Sequence, residues 1–411
     1  MRPFTLIVLA LTVWLAAGCG AKLDGKIQVS IWHQKSGPER DLFVQLIGRF
    51  MQENPDVAVE ALYREPEELR NLYIIAAVAG KGPDLVNGAA DNVGVFELTK
   101  TIQPVDGILD AAFLEGFIPE GIVRWNGHPW LVADQLGNQL ALVCNDAKMT
   151  RAPATLDELI SMSQELTKDL DGDGKTDVYG LNWNYREPYF FIPFLTAFGG
   201  WVMDETGHPT LDTPETVAAL QFILDLRDKY QVIPKEGDYE IAEMLYKEGR
   251  TAMIINGPWA WAGYGVGVAG RSTAHPLPVN SATGIPAASM VAAKGYSVNV
   301  NVGPEKKEAV GRLLRFLTGS EVQAVMAREV LTYPVRRDVV ESEVVLGNPT
   351  LLASRKMIAH SRPIPIQPQM RQIWDGMRGP YQLVMSGAVT AQEGARLMQR
   401  ECEKKIADSN L

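Results

Sequence analysis

Residues 27–63 read IQVSIWHQKSGPERDLFVQLIGRFMQENPDVAVEALY, and this stretch contains the pattern that decides the fold. Apolar and polar residues alternate at both of its ends, a period of two that predicts half-buried β-strands. In the middle, Gly37-Pro38 opens a segment whose apolar residues recur every three or four positions, which predicts a helix with one buried face. That face comprises Phe43, Leu46, Ile47 and Phe50. Strands that alternate with helices in this way along the chain indicate an α/β protein.

The composition of the 411 residues is that of a globular protein of about two or three domains, with 46% hydrophobic and 21% charged residues. Thirty-nine Lys and Arg residues against 49 Asp and Glu residues give a net charge of -10, so the chain lacks the positive field that attracts nucleic acid. Its three cysteines have no paired spacing, which excludes a disulfide scaffold and a zinc cluster. We also expect a monomer.

The N-terminus has the features of a secretory signal: Arg2, then an apolar run from Phe4 to Ala17 that is too short for a comfortable membrane span. The segment from Ala16 to Cys19 resembles a bacterial lipobox, although the leucine lies one position early. We therefore predict a signal peptide over residues 1–18, lipidation of Cys19, and an exported protein anchored by lipid to a membrane in the periplasm or at the cell surface. The alternative is an ordinary secretory signal with an incidental cysteine.

Helix start signals recur in the second half of the chain. Three pairs match the capping box, in which a Ser or Thr side chain and a Glu or Gln three residues later cap a helix, and a fourth threonine precedes a proline. These signals are Thr155 with Glu158, Ser320 with Gln323, Thr390 with Glu393, and Thr213 before Pro214.

Catalytic signatures are nearly absent from the sequence. The five histidines form no HExxH motif, and no serine lies in a GxSxG motif. Gly265, Gly267 and Gly270 spell GxGxxG, but residues 271–276, RSTAHP, are a poor start for the helix that a dinucleotide site needs. We interpret these glycines as a connection and predict that the protein is not an enzyme and needs no organic cofactor.

An acidic segment matches part of a calcium-binding loop, because Asp169, Asp171, Asp173 and Asp177 place oxygen ligands at alternate positions around Gly174. The bidentate acid that such a loop has at its twelfth position is replaced by Gly180. Two interpretations stay open: a weak structural calcium site or a solvated acidic turn.

Aromatic residues beside polar ones are the most informative feature of the second half. Flat aromatic faces suit the CH faces of sugar rings, while carboxylates and arginine bind the hydroxyls. A tryptophan taken singly is more often a core residue, but three clusters together favour sugar binding. The clusters are Trp259 with Trp261, which we place on a loop next to Gly and Pro, Glu187 with Tyr189, and Trp374 with Arg378.

Several motifs resemble, in the same order, those of the maltose/maltodextrin-binding proteins of bacterial ATP-binding-cassette (ABC) sugar importers, a branch of the family 1 extracellular solute-binding proteins. The resemblance covers nearly the whole chain after the signal segment. The matching segments are GPD at 82–84, VRWNG at 123–127, YREPYF at 185–190, GG at 199–200, IAE at 241–243, GRTAM at 249–253, INGPWAW at 255–261 and PQM at 368–370.

The resemblance implies a two-lobe periplasmic-binding-protein (type II) fold of the α/β class, with a hinge that the chain crosses more than once and helices at the C-terminus. A sugar is held in the cleft between the lobes. The expected ranges are 26–136 plus 277–330 for lobe 1, 138–270 plus 335–408 for lobe 2, and 135–138, 270–277 and 330–336 for the hinge.

Five residues of the second lobe match sugar-binding positions of the family. The resemblance assigns Glu187 and Tyr189 to a carboxylate and an aromatic that contact sugar, Trp259 and Trp374 to stacking tryptophans, and Arg378 to a neighbouring arginine. We add Trp261, from the same motif, as a candidate.

The first lobe departs from the family pattern. Lys35 is the one candidate for an Asp-Lys pair, and Asp91 keeps an acid where Gly88 replaces a tryptophan. Gly137 replaces the hinge glutamate, with Asp134, Gln135 and Asn138 as possible substitutes.

The function that follows is binding of a neutral di- or oligosaccharide of the maltose type, with the membrane subunits of an ABC permease as partners. Two alternatives remain. The first is a binding protein for another solute, such as a glycerol phosphate or a peptide. The second is an exported glycoside hydrolase that uses Glu187 and Asp134 as an acid and base pair.

Overall fold

The computed structural model describes residues 25–268 and 270–409, so the predicted signal segment and Cys19 lie outside the described residues. The strands are β1 (Ile27–His33), β2 (Val57–Tyr63), β3 (Leu85–Ala89), β4 (Ile102–Gln103), β5 (Ile122–Trp125), β6 (His128–Gly137), β7 (Ala141–Asn145), β8 (Tyr179–Asn182), β9 (Thr251–Asn256), β10 (Ser272–His275), β11 (Val279–Asn280), β12 (Ile285–Pro286), β13 (Met290–Asn299) and β14 (Arg362–Pro363).

The α-helices are α1 (Gly37–Glu53), α2 (Pro66–Val78), α3 (Val93–Leu98), α4 (Ala111–Glu115), α5 (Leu156–Leu166), α6 (Ile192–Ala197), α7 (Pro214–Asp228), α8 (Tyr239–Lys247), α9 (Pro258–Tyr264), α10 (Pro304–Leu317), α11 (Ser320–Val330), α12 (Arg337–Val340), α13 (Glu343–Leu346), α14 (Pro349–His360), α15 (Met370–Met385) and α16 (Ala391–Asp408). Within the described ranges, none of these helices combines the length and the apolar character that crossing a membrane requires.

Lobe 1 is built on a mixed sheet with the strand order β2-β1-β3-β13-β6-β5, and β4 and β14 also pair with β13. The strands β1, β2 and β3 are parallel to one another, whereas β13 runs antiparallel to both β3 and β6. Helix α1 covers this sheet with Phe43, Ile47 and Phe50, while Leu46 packs against helix α11. All four residues are buried, which confirms the predicted helical face.

Lobe 2 is built on a smaller sheet with the order β10-β7-β9-β8. Strand β9 is buried along its whole length, since it lies between β7 and β8 and is covered by helices. The C-terminal helices α15 and α16 pack against each other, and α16 also packs on α7. Two α/β lobes with C-terminal helices on the second confirm the predicted fold class.

Three of the four predicted helix caps form. The hydroxyls of Thr155, Thr213 and Thr390 each accept a hydrogen bond from the backbone N–H three residues later. The capping box at Ser320 and Gln323 is wrong, because Gly319 is the N-cap of α11 and Ser320 already lies inside the helix. The Gln323 side chain instead accepts hydrogen bonds from two backbone N–H groups of the segment that follows α11.

The chain crosses between the lobes at residues 138–140, where β6 of lobe 1 leads into β7 of lobe 2. The second crossing lies later than the predicted 270–277, because β10 still pairs with β7 and the β11–β12 hairpin still packs on lobe 2. Asn280 and Thr283 of this hairpin both donate to the carbonyl of Ala197. The second crossing is therefore at residues 287–289, just before β13.

The third crossing also lies later than the predicted 330–336. Residues 333–337 remain in lobe 1: Tyr333 bridges to Leu136, and the backbone N–H of Arg337 donates to the carbonyl of Gly116. Helices α12 and α13 pack on α11, and α14 is the first to pack on lobe 2, against β10. The chain thus returns to lobe 2 near residues 347–348, after which β14 pairs once more with β13.

Candidate functional site

Tyr189 connects lobe 2 to two of the hinge crossings. It lies on the 3₁₀ turn Pro188–Phe191, which Glu187 precedes as N-cap. Its hydroxyl donates to the carbonyl oxygen of Asn138, at the first crossing, and lies 3.3 Å from the carbonyl oxygen of Met290, at the start of β13. Burial, with a smaller contribution from the negative charge of Asp91 in lobe 1, raises the pKa of Tyr189 and keeps it a hydrogen-bond donor.

Trp374 and Tyr189 form an aromatic pair, with ring centroids 6.0 Å apart and an angle of 48° between the ring planes. Trp374 lies on α15, is 8% exposed and packs in the hydrophobic core, so its indole is largely covered by protein. This pairing brings together an aromatic residue from each of two segments that the sequence analysis singled out separately.

Glu187 and Arg378 form an ion pair beside these rings, with 3.2 Å between Arg378 Nη2 and Glu187 Oε1. The segment that contains Trp374 and Arg378 is helical, so the two residues lie on one side of α15, one turn apart. Both members of the ion pair are partly exposed. Their donors and acceptors are therefore available to a polar ligand lying on the aromatic pair.

Trp259 is 48% exposed, and its indole nitrogen donates to the hydroxyl of Tyr239, 3.1 Å away. The predicted loop at this position is wrong: Pro258 starts helix α9, with Gly257 as its N-cap. A shallow groove of about 420 Å³ is lined by one member of each pair, Tyr239 and Glu187, whereas Trp259 and Arg378 are not part of its lining. A larger cavity of about 710 Å³ lies elsewhere on lobe 1 and contains none of the predicted site residues.

Trp261 is a core residue, which corrects its prediction as a ligand contact. It is 2% exposed, packs in the cluster around Ile254, and donates from its indole nitrogen to the carbonyl of Asn256. Because successive residues of a helix point in different directions, α9 directs Trp259 outward and Trp261 inward.

The candidates of lobe 1 form a buried ionic cluster. The Lys35 ammonium, with a side chain 3% exposed, lies 2.8 Å from Asp134 Oδ2 and 2.9 Å from Glu39 Oε1. Burial alone would lower the pKa of Lys35, but these two carboxylates raise it above its ordinary value. Lys35 and Asp134 are thus engaged with each other, which indicates a supporting role; their direct contact with a ligand stays a prediction.

Lys294 and Asp91 lie above this cluster. Lys294 is the residue of β13 that is not fully buried, and its side chain passes over Gly137, where a Cβ atom would lie 3.6 Å from Lys294 Cε. Asp91, on the 3₁₀ turn Ala90–Asn92 that follows β3, acts electrostatically on both Lys294 and Tyr189. The charge of Asp91 therefore acts on one residue of each lobe.

The acidic segment folds into a turn in which Asp169, Asp171 and Asp177 bring carboxylate oxygens within 4.8 Å of one another. Asp173 is not part of this group; its carboxylate pairs with Lys175. A Cβ at Gly180 would collide with the carbonyl of Ser163, so no acid fits at the twelfth position. Both interpretations of the loop stay predictions.

Three residues of the site were missed by the sequence analysis: Glu39, Tyr239 and Lys294. Lys294 had a readable signal, because it is the single charge in the apolar strand segment MVAAKGYSVN. Glu39 and Tyr239 had none, since each lies at the start of a helix, where an acidic or polar residue is ordinary.

Comparison with known proteins places these features in a family. The family model for the bacterial extracellular solute-binding proteins matches residues 36–324. Among the relatives is a maltotriose-binding protein of Pyrococcus abyssi, 26% identical in an alignment of 364 residues that covers 86% of this chain and 77% of the relative. A maltooligosaccharide ABC transporter solute-binding lipoprotein of Streptococcus pneumoniae is 23% identical over 80% of this chain and 77% of its own length.

Among solved structures, the maltose/maltodextrin-binding domain MalE of Bdellovibrio bacteriovorus bound to maltotriose is similar, with a TM-score of 0.85 and 37% identity over 93% of this chain and 100% of that domain. A cyclo/maltodextrin-binding protein complexed with maltotetraose, 22% identical over 92% of this chain and 97% of its own, has the same fold with a TM-score of 0.78. The chain belongs to the bacterial extracellular solute-binding proteins, and the predicted resemblance to their maltose/maltodextrin-binding branch is confirmed.

Proposed function

We propose that this protein is the extracytoplasmic substrate-binding component of an ABC importer, and that it binds a neutral di- or oligosaccharide of the maltose/maltodextrin type between its two lobes. The observation that carries the proposal is the Tyr189–Trp374 aromatic pair, which lies beside the Glu187–Arg378 ion pair and next to the hinge. Aromatic faces for the sugar rings and charged groups for the hydroxyls are the two components that a sugar site needs. The maltotriose and maltooligosaccharide relatives support the same class of ligand.

Binding is coupled to closure in this proposal. A ligand that contacts both lobes favours the arrangement in which they approach each other. Tyr189 provides the link, because its ring packs on Trp374 while its hydroxyl lies at two hinge carbonyls. A sugar that stacks against this pair would therefore act, through the Tyr189 hydroxyl, on the backbone of the crossings at residues 138–140 and 287–289. No covalent step is involved, and the protein releases the sugar unchanged.

Calorimetric titration with maltose, maltotriose, maltotetraose, trehalose, sucrose and a glycerol phosphate tests this proposal, with small-angle scattering to detect compaction. We expect at least one maltooligosaccharide to bind with a micromolar or lower dissociation constant, which corresponds to a binding free energy of about -8 kcal/mol or more negative. Tight binding of the glycerol phosphate with no response to any sugar would identify a different solute class. Steady release of free glucose from the same mixtures would identify a hydrolase.

We also propose that the protein is exported, is anchored by lipid at Cys19, and delivers its ligand as a monomer to the membrane subunits of an ABC permease. The lipobox-like segment at residues 16–19 supports the anchor, and the extracellular family supports export. Mass spectrometry of the mature N-terminus tests the anchor: an unmodified chain that starts elsewhere contradicts it. Light scattering of the soluble form tests the monomer.

If the protein holds a structural calcium ion, we propose that Asp169, Asp171 and Asp177 bind it. Calcium chemistry fits three carboxylates, while Gly180 removes the bidentate ligand and predicts weak affinity. Thermal unfolding with calcium and with a chelator tests the site, and Asp171→Asn should abolish any difference between the two conditions.

A further inference from the structure

Lys294 occupies an unusual position for a lysine, in the middle of the hinge strand β13. Its backbone pairs with Gln135 of β6 on one side and Ala89 of β3 on the other. The other nine residues of the strand are fully buried, whereas Lys294 retains partial exposure. Its side chain follows the open space above Gly137, from which a Cβ atom would be 3.9 Å from the Lys294 ammonium. The ammonium therefore lies beside Gly137, at the end of β6 that leads into the first hinge crossing.

Two carboxylates near Lys294, those of Glu39 and Asp134, are each engaged through one oxygen by other groups. Lys35 lies within 2.9 Å of both Glu39 and Asp134, and the side-chain amide of Gln135 also donates to Glu39. No ion pair of the Lys294 ammonium occurs among the residues that the structure describes, although Glu39, Asp134 and Asp91 act on it electrostatically. A buried charge needs hydrogen-bond partners. The three donors of this ammonium are therefore available to a ligand.

We propose that Lys294 is a specificity-determining residue that donates hydrogen bonds to the sugar unit bound at the hinge end of the cleft. This inference rests on the proposed function. The family pattern has a glutamate at the position of Gly137, and a carboxylate only accepts hydrogen bonds, whereas an ammonium only donates them. With Lys294 beside Gly137, this part of the site therefore offers a ligand donors in place of acceptors. It selects a ligand that offers acceptor oxygens at this point, such as ring, glycosidic or hydroxyl oxygens. The neighbouring Asp91 takes the complementary role of acceptor for hydroxyl protons.

The test compares the affinity of Lys294→Met for maltotriose with that of the wild type by calorimetry. Methionine matches the apolar part of the lysine side chain and removes all three donors. We expect the dissociation constant to rise about 10- to 100-fold, the range for a lost hydrogen bond to a charged group. Lys294→Gln, which keeps one donor group, should lie between the two. The matched control is Lys81→Met, which removes the same charge from an exposed position of lobe 1 and should leave the affinity unchanged.

A purely structural role for Lys294 predicts a different result. If the ammonium only balanced the carboxylates around it, Lys294→Met would lower the unfolding midpoint of the sugar-free protein and leave the affinity unchanged, which would overturn the proposal. We expect the sugar-free midpoint to be retained, because within residues 25–268 and 270–409 the ammonium forms no ion pair that the substitution would break. If Lys294→Met does not fold, a crystal structure of the wild-type protein with maltotriose provides the test. A distance of more than 3.5 Å between the Lys294 ammonium and every sugar oxygen would overturn the proposal.

Failure of the proposed function is distinguishable from failure of this inference. A wild-type protein that binds no maltooligosaccharide refutes the function. A wild type that binds maltotriose while Lys294→Met binds it equally well refutes only the role of Lys294.

Discussion

The two tryptophans of the INGPWAW segment lie two residues apart, and truncating each should have opposite consequences. Trp259 is 48% exposed on α9, so Trp259→Ala leaves no internal cavity. The loss of a stacking surface should cost about 1 to 3 kcal/mol of binding free energy, a dissociation constant raised about 5- to 150-fold. The variant also removes the hydrogen bond from the Trp259 indole to the Tyr239 hydroxyl, so the Tyr239 ring is no longer held in place by this partner.

Trp261→Ala should instead cost stability. Its indole is 2% exposed and packs against the buried sheet of lobe 2, and truncating a buried tryptophan costs about 3 to 5 kcal/mol of unfolding free energy. The two variants are compared by calorimetric titration with maltotriose and by urea unfolding without ligand. We expect weaker binding with normal stability for Trp259→Ala, and lower stability with near-normal affinity of the folded fraction for Trp261→Ala. An unchanged affinity in Trp259→Ala together with a large loss of stability would refute the assignment of its face to the cleft.

Three further predictions concern the hinge, a helix cap and a buried histidine. Tyr189→Phe keeps the ring and removes the donor to the hinge carbonyls, so maltotriose should bind about 2- to 10-fold more weakly in calorimetry. Tyr230→Phe, just after helix α7 of lobe 2, removes a tyrosine hydroxyl away from the hinge and serves as the control. Equal binding by Tyr189→Phe and the wild type contradicts the hinge role. Thr155→Ala removes the cap of α5 and should lower the unfolding free energy by about 1 kcal/mol, which urea unfolding measures; no change would show that the cap contributes nothing. Burial of His33, together with the nearby charge of Lys35, lowers its pKa to about 4. The unfolded chain therefore binds a proton more readily than the folded one as the pH falls. The free energy of unfolding should decrease by about 2 kcal/mol between pH 7 and pH 5 for this reason. His33→Gln should lack this part of the decline, and an identical pH profile in both proteins contradicts it.

The local elements of the fold were predictable from the sequence where each element has its own signal. The alternation at Ile27–His33 and the face of α1 follow from side-chain periodicity alone. The exception at Ser320 has a physical reason: Gly319 has the extended backbone of an N-cap, and a Ser at the next position is already helical. A pattern of side chains locates a helix start to within a residue or two and does not fix the capping residue itself.

The assignment of segments to lobes was less predictable, because it depends on contacts between residues far apart in the chain. The β11–β12 hairpin belongs to lobe 2 through hydrogen bonds to the Ala197 carbonyl, some 80 residues earlier. Residues 333–337 belong to lobe 1 through contacts with residues near 116 and 136. No local composition marks either boundary.

The candidate site shows the same division between what a motif can and cannot predict. The GPD segment was recognised as a motif, yet Asp84 has a structural role, because its carboxylate accepts hydrogen bonds from the backbone and hydroxyl of Ser30 and from Lys306. Likewise, INGPWAW identifies a segment but does not separate an exposed tryptophan from a buried one. Which side a residue faces is set by the helix that carries it, and helical phase was not readable in a short segment rich in Gly and Pro.

The arrangement of charges and rings implies that the two lobes contribute differently to ligand selection. In the proposed function, the second lobe provides the stacking surfaces and the Glu187–Arg378 pair, and stacking surfaces suit many sugars because every pyranose ring has apolar CH faces. In the first lobe, Lys35 and Asp134 are engaged with each other, and we propose Lys294 as the donor and Asp91 as the acceptor for a ligand near the hinge strand. Discrimination between sugars that stack equally well then depends on whether their oxygens match one acceptor and one donor at that end of the cleft, since an unmatched buried polar group costs about 1 to 3 kcal/mol. Changes of ligand preference among variants of this protein should therefore map to lobe 1 and the hinge strand, whereas changes in lobe 2 should alter affinity for all ligands together.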